Sequence, residues 1–280
     1  MAERTQRWLI LGASGWFGRT ALSMAGFQTD VLPISGPSGY FRAWSQALVE
    51  DFAPTHVLGC AFLTKEKLSR MPVHEYRDIN STLIRRFEFA SSLPSCIGAI
   101  SIGSGSVVAD PDHPYSELKA FEESVTAGLV TDTRGAVSLR AFSVSGPYVQ
   151  RVQDYAFSNL LAQGLVASSP ISISARGEVW RRYSDVEECL KVSMQVLEPG
   201  RYRLLESGGP LVEIRELARL IGEELHAAVN IRSALEEPPS IYASDNRSWE
   251  SACNEANFTP SDLRAQIRKT IAGCKFSPVG

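Results

Sequence analysis

The 280-residue chain is poor in several features, and each scarcity narrows its class. It has only five cysteines, Cys60, Cys96, Cys189, Cys253 and Cys274, and no two form a C-x-x-C pair. A zinc site or a disulfide framework is therefore not expected, and a reducing, cytoplasmic setting fits. Positive charge is not in excess, since 28 Lys and Arg face 31 Asp and Glu. Without a basic field, neither nucleic acid nor an anionic membrane surface is an expected partner. No apolar run approaches the roughly 18 residues of a membrane span. The N-terminus passes directly into a strand pattern, so no secretory signal peptide is expected. Neither low-complexity sequence nor internal repetition appears, and a hydrophobic content of 44% suits a globular core.

What is present is an alternation of strands and helices. Apolar runs at Trp8–Leu11, Asp30–Ile34, His56–Leu63, Ile97–Ile102 and Val137–Phe142 alternate with helical patterns. Those helices are expected at 19–26, 44–52, 74–92 and 115–128. This rhythm predicts an α/β protein with a Rossmann-type, doubly wound parallel sheet. After Pro147 the rhythm becomes irregular. Helices are expected at 155–165, 186–197, 211–225 and 260–272, with extended segments at 171–174 and 202–205 and a loop-rich stretch after Pro238-Pro239. The expected division is a nucleotide-binding domain of 1–148 plus about 181–207, and a small C-terminal α/β substrate lobe of 149–180 plus 208–280.

Gly12, Gly15 and Gly18 form a G-x-x-G-x-x-G turn between the first strand and the first helix. Glycines let the chain reverse sharply and let a pyrophosphate approach the backbone. The helix start then offers free N–H groups and the positive end of its dipole. Gly12, Ser14, Gly15, Trp16, Phe17 and Gly18 are accordingly expected to bind a dinucleotide, although the spacing differs from G-x-G-x-x-G.

Tyr115 and Lys119 lie at i and i+4 on one helix face. A neighbouring ammonium favours the phenolate and is expected to lower the tyrosine pKa, which suits proton transfer. Ser104 ends a strand 11 residues earlier, and strand ends in a doubly wound sheet face the ligand crevice. Taken alone, Y-x-x-x-K is most often an ordinary helix face; the glycine turn and Ser104 give it weight.

With these residues in place, the chain resembles the short-chain dehydrogenase/reductase superfamily over nearly its whole length. The similarity is greatest to the extended branch of nucleotide-sugar epimerases, dehydratases and 4-ketoreductases. The resemblance implies that Ser104, Tyr115 and Lys119 are catalytic. Tyr115 would shuttle a proton, Lys119 would hold the nicotinamide ribose, and Ser104 would bind the substrate oxygen. It also implies a structural and proton-relay role for Asn80, and Ser106 rivals Ser104. Cofactor contacts are implied for Ala61 and Phe62, and for Phe142 and Ser145 in Leu139-Arg140-Ala141-Phe142-Ser143-Val144-Ser145-Gly146-Pro147. Thr64, Ser104, Ser106, Asn159 and Arg181 are the implied substrate residues. Arg181, in Gly177-Glu178-Val179-Trp180-Arg181-Arg182-Tyr183, would meet the nucleotide diphosphate. Lys65 and Lys67 join Thr64 as residues that either line the sugar site or are simply exposed. Glu188 stands where the family usually has aspartate.

Ser104-Gly105-Ser106 replaces the Thr-Asp-Glu of the 4,6-dehydratases, so elimination of water is not expected. The end of the second strand carries no carboxylate to hold a ribose, whereas Ser35, Ser38 and Arg42 suit a 2′-phosphate. NADP(H) is therefore favoured, with NAD(H) as the alternative. The leading expectation is NADPH-dependent reduction of a keto group on a nucleotide-activated deoxy sugar. The alternatives are an epimerase with tightly held NAD and a non-catalytic NADP-binding regulator. Family members often dimerise through the helices corresponding to 74–92 and 115–128, so a homodimer is one implied assembly. No metal ligand set is expected.

Overall fold

A computed structural model describes residues 6–24, 30–35, 42–149, 155–166, 170–231 and 237–273. Ser38 and Cys274 lie outside the described residues. The backbone forms two compact units: Met1–Ala141 with Leu190–Leu205, and Phe142–Cys189 with Glu206–Gly280.

The first unit starts with β1 (Trp8–Leu11), α1 (Trp16–Ser23), β2 (Val31–Ile34), α2 (Gln46–Phe52) and β3 (His56–Gly59). A 3-10 turn at Lys65–Arg70 leads to α3 (Val73–Ser92), β4 (Gly98–Ser104), the short α4 (Ser106–Ala109), α5 (Pro114–Gly128) and β5 (Gly135–Ala141). Then follow β6 (Ser143–Ser145), α6 (Ala156–Leu165), β7 (Ile171–Ile173), β8 (Val179–Asp185), α7 (Val186–Gln195) and β9 (Tyr202–Glu206). The chain ends through β10 (Leu211–Glu213), α8 (Ile214–Leu225), β11 (Val229–Ile231), β12 (Ser240–Tyr242), α9 (Arg247–Glu255) and α10 (Leu263–Gly273).

Six strands form the main sheet in the order β2-β1-β3-β4-β5-β9. The pairings of β1 with β2 and β3, and of β4 with β3 and β5, are all parallel. This is the Rossmann-type α/β fold. Every residue of β1 and β4 is buried, as expected of central parallel strands covered on both faces. Tyr76, Asn80, Ile84, Phe87 and Ala90 form the buried stripe of α3 at spacings of three and four. Pro114 opens α5, where a missing N–H costs nothing, and the His113 side chain accepts from Tyr115 N at 3.1 Å. These two features fix the first turn of the helix that carries Tyr115 and Lys119.

In the second unit β8 pairs antiparallel with β10 and parallel with β12 and β6, while β7 pairs with β11. Phe157, Leu161, Ile171, Leu217, Ile221 and Ile267 lie in its buried core.

Three expectations are corrected. The apolar run from His56 stops being a strand at Gly59. Its continuation turns to meet the glycine loop, and Leu63 is held by side chains instead of a ladder. The expected helix over 211–225 begins only at Ile214, because Leu211–Glu213 pairs with Arg182, Arg181 and Trp180. Glu213 then caps the helix, accepting from Arg215 N at 2.7 Å. The stretch taken as loop-rich contains α9, which buries Trp249, Ala252 and Cys253.

Candidate functional site

The glycine turn is built so tightly that side chains are excluded. Gly12 has φ +88°, and a Cβ there would lie 2.6 Å from Ala61 N. A Cβ on Gly18 would lie 2.3 Å from Gly12 O. Gly15 N donates to Gly12 O at 2.9 Å and Gly15 caps α1, whose first turn has no acidic residue. The result is a backbone cradle at a helix start, the geometry that accepts a phosphate. Ala61 is thus part of the cradle wall. Arg19 Nε donates to Ser14 O at 3.0 Å, and the Ser14 and Ser35 hydroxyls hydrogen-bond. Arg42 returns beside the tip of β2, where Ser35 N donates to Arg42 O at 3.1 Å. The predicted Ser14, Ser35 and Arg42 group is therefore brought together at the end of β2.

A second cluster forms where β4 ends. Ser104 Oγ accepts from Ser106 N at 3.2 Å and from Ser106 Oγ at 3.0 Å. With both lone pairs used, the Ser104 hydroxyl proton remains to be donated, and Ser104 favours the charged form of the nearby Tyr115 phenol. The hydroxyls of Ser106 and Ser104 thus form a hydrogen-bonded pair that acts on Tyr115. Ser106 is a partner of Ser104 in this arrangement, not a rival.

The expected effect of Lys119 on Tyr115 is corrected. Burial pushes Tyr115 up to about 12, with Ser104 opposing and Glu122 and Glu66 adding to the rise. The Lys119 ammonium does not bring Tyr115 below its ordinary value, and it is engaged by other groups. Its Nζ donates to Glu122 Oε2 at 2.7 Å and to Ile102 O at 2.7 Å, and lies 3.6 Å from the centre of the Phe62 ring. All three ammonium protons are occupied, so the ribose contact implied for Lys119 requires Phe62 to give way. Phe62 also meets Tyr115 edge-on, with ring centres 5.6 Å apart.

Asn80 holds the segment between the two clusters. Its Oδ1 accepts from Leu63 N at 2.8 Å and its Nδ2 donates to Leu63 O at 3.4 Å. Tyr76 adds a hydroxyl donated to the same carbonyl at 2.7 Å. Asn80 is fully buried and positions Leu63. Thr64 starts the 3-10 turn, whose Lys65 pairs with Asp110 at 2.7 Å.

Two residues were missed by the sequence reading. Glu122 sits at i+3 from Lys119, a spacing that identifies a helix ion pair without revealing its burial. Glu123, on the same turn, clamps Arg140 in a bidentate pair of two 2.8 Å bonds.

In the second unit, Arg181 donates to Trp180 O at 2.8 Å and to Ser240 O at 3.3 Å, and lies 5.7 Å from the Tyr242 ring centre. Phe142 packs against the same ring at 5.2 Å. Phe142 and Arg181 are therefore gathered around Tyr242. Ser145 is a correction: it has no exposed surface and its hydroxyl donates to Gln266 Oε1 at 2.7 Å, so its side chain serves packing. Asn159 accepts from Gln163 Nε2 at 3.2 Å on α6 and joins neither group. Among the described residues no group of His, Cys, Asp and Glu could hold a metal ion. No described helix is long and apolar enough to cross a membrane.

No family model matches the sequence, and no curated protein does. The class that the fold defines is nonetheless specific, because solved structures share it end to end. One is the Thermus thermophilus UDP-glucose 4-epimerase in complex with NAD, at 17% identity and TM-score 0.76, covering 97% of this chain and 100% of that one. Another is the Thermotoga maritima UDP-glucose 4-epimerase with UDP-glucose, at 16% identity and TM-score 0.77, covering 95% and 98%. A third is the NAD-dependent NDP-hexosamine 5,6-dehydratase TunA of tunicamycin biosynthesis, at 17% identity and TM-score 0.71, covering 95% and 97%. At these identities the likeness is one of fold.

Proposed function

We propose that the protein is a nicotinamide-dinucleotide-dependent oxidoreductase that reduces a keto group on a nucleotide-activated sugar. The observation that carries this reading is the hydrogen-bonded pair Ser106–Ser104 beside Tyr115, set at the end of β4 in the unit that holds the glycine cradle. When bound, the reduced dinucleotide supplies a hydride to the carbonyl carbon. Tyr115, protonated at neutral pH, gives its proton to the carbonyl oxygen as charge develops there. Ser104 gives its single proton to Tyr115 as Tyr115 donates, Ser106 resupplies Ser104, and water restores the balance. Gly12, Gly15 and Gly18 admit the pyrophosphate. Ser35 and Arg42, with no carboxylate between them, support NADP over NAD. The nucleotide-sugar substrate is supported by the molecules named with the similar structures. Free cysteines, four among the described residues, support a reducing cytoplasm. Phe121 on α5 and Val73 on α3 are each about half exposed, which supports a homodimer through these helices.

The test is single-turnover oxidation of NADPH and NADH with nucleotide-linked 4-keto sugars. Tyr115→Phe should lower the rate by about 10²–10⁴-fold while leaving dinucleotide affinity nearly unchanged. Absence of turnover with every such sugar, despite bound cofactor, refutes the reading. The second reading, an epimerase, is favoured by the named activities of the similar structures. It requires NAD to co-purify, visible by mass spectrometry, and no net cofactor consumption.

A further inference from the structure

We propose that Glu122 is a positioning residue that confines the Lys119 ammonium, so that Tyr115 stays in its proton-donating form and the site delivers a proton to a carbonyl oxygen more readily than it takes one from an alcohol. This rests on the proposed oxidoreductase function.

The geometry is specific. Lys119 and Glu122 side chains are each only 4% exposed, and their charged atoms lie 2.7 Å apart. Ile102 O and the Phe62 face take up the remaining ammonium protons. An ammonium held this way is electrically paired, and the carboxylate beside it opposes its field at Tyr115. Lone burial of either charge would cost several kcal/mol, so the two stay together.

The charged and hydrogen-bonding groups facing Tyr115 come from four elements. From α5 come Lys119 and Glu122, from β4 Ser104, from the 3-10 turn Glu66, and from α3 Tyr76, which couples to Tyr115. Glu123 and Cys60 face the Lys119–Glu122 pair; Glu123 adds further negative charge, itself paired with Arg140, and the Cys60 thiol is pushed up to about 12 by burial. Ser104 favours the phenolate, whereas burial, Glu122 and Glu66 oppose it. Alcohol oxidation begins with a base, whereas carbonyl reduction ends with an acid. A tyrosine that keeps its proton therefore favours reduction.

The test is titration of the Tyr115 phenol in the full chain. Protein labelled at tyrosine Cζ is followed by carbon-13 NMR between pH 7 and 11, with the Tyr115 signal assigned by its loss in Tyr115→Phe. Wild-type Tyr115 should stay protonated throughout. Glu122→Gln frees the ammonium and should raise the phenolate fraction at a given pH by about tenfold, one pH unit. Adding Lys119→Met should reverse that shift, which a merely structural role for Glu122 would not produce. Should Glu122→Gln fail to fold, Glu122→Asp keeps the charge, draws it back by one methylene and should give a smaller shift of the same sign. An unmoved Tyr115 signal in the folded variant, or a shift that Lys119→Met does not reverse, overturns the proposal. The titration needs no substrate. Failure of turnover with an intact shift therefore counts against the proposed function alone, and normal turnover with no shift counts against Glu122 alone.

Discussion

Two glycines of the first unit should respond to alanine with opposite signs. Gly18 and Gly128 both lie in helices, where alanine is intrinsically better by about 1 kcal/mol. At Gly18 an added Cβ would lie 2.3 Å from Gly12 O, 2.7 Å from Ala13 Cα and 2.9 Å from Ala13 C. All three are backbone atoms, so no side chain can swing aside. Overpacking of this kind costs about 3 kcal/mol, the upper part of its usual range. Offset by helix propensity, the net loss is about 2 kcal/mol, or a thermal midpoint lower by roughly 5 °C. The glycine turn must also open to relieve the clash, so dinucleotide affinity should fall with stability. At Gly128 an added Cβ meets nothing within 4 Å. Because Gly128 is the last helical residue, Gly128→Ala should stabilise by only about 0.5 kcal/mol, with unchanged dinucleotide affinity. The assay is thermal and urea unfolding of both variants, with dinucleotide binding by calorimetry. If Gly18→Ala matched the wild type in stability, the claimed close approach of α1 to the Gly12 turn would be wrong.

Two further outcomes follow from buried charge. Arg140→Met leaves Glu123 buried and unpaired beneath α5, so unfolding free energy should drop by about 3 kcal/mol in urea titration. An Arg140→Met/Glu123→Leu double variant should recover most of that loss. Burial lowers His56 to about 4, where it stacks on Trp8 with ring centres 4.7 Å apart. The folded state therefore disfavours the proton that the unfolded chain takes up below its ordinary value of 6.5. The stability that neutral His56 contributes is present above pH 6.5 and lost as pH falls toward 4, by up to roughly 3 kcal/mol. His56→Gln should flatten that part of the stability–pH curve.

The strands and the glycine cradle were legible because each leaves a local mark: an apolar run at Trp8–Leu11, glycines at a strand-to-helix turn, and Pro114 before Tyr115. The boundaries that failed were set by tertiary contacts with no local mark. Leu211–Glu213 reads as the start of an amphipathic helix, yet pairing with β8 and the Glu213 cap hold it extended. α9 was missed because its nine residues bury only Trp249, Ala252 and Cys253, too short a stripe to stand out from a polar stretch. The site shows the same division at the level of chemistry. Spacing correctly placed Tyr115, Lys119 and Ser104 in one unit, because i and i+4 residues share a helix face and strand ends share an edge. Spacing cannot give the electrical state of the group so assembled. Lys119 reads as a free cation that should acidify Tyr115, but burial forces that cation to find a carboxylate, and Glu122 lies one turn away. Once paired, Lys119 acidifies its neighbour against the opposing charge of Glu122. The same desolvation that demands the pair raises Tyr115 directly. The Y-x-x-x-K spacing thus fixes which groups meet, and the burial of Glu122 decides which way the proton is poised to move.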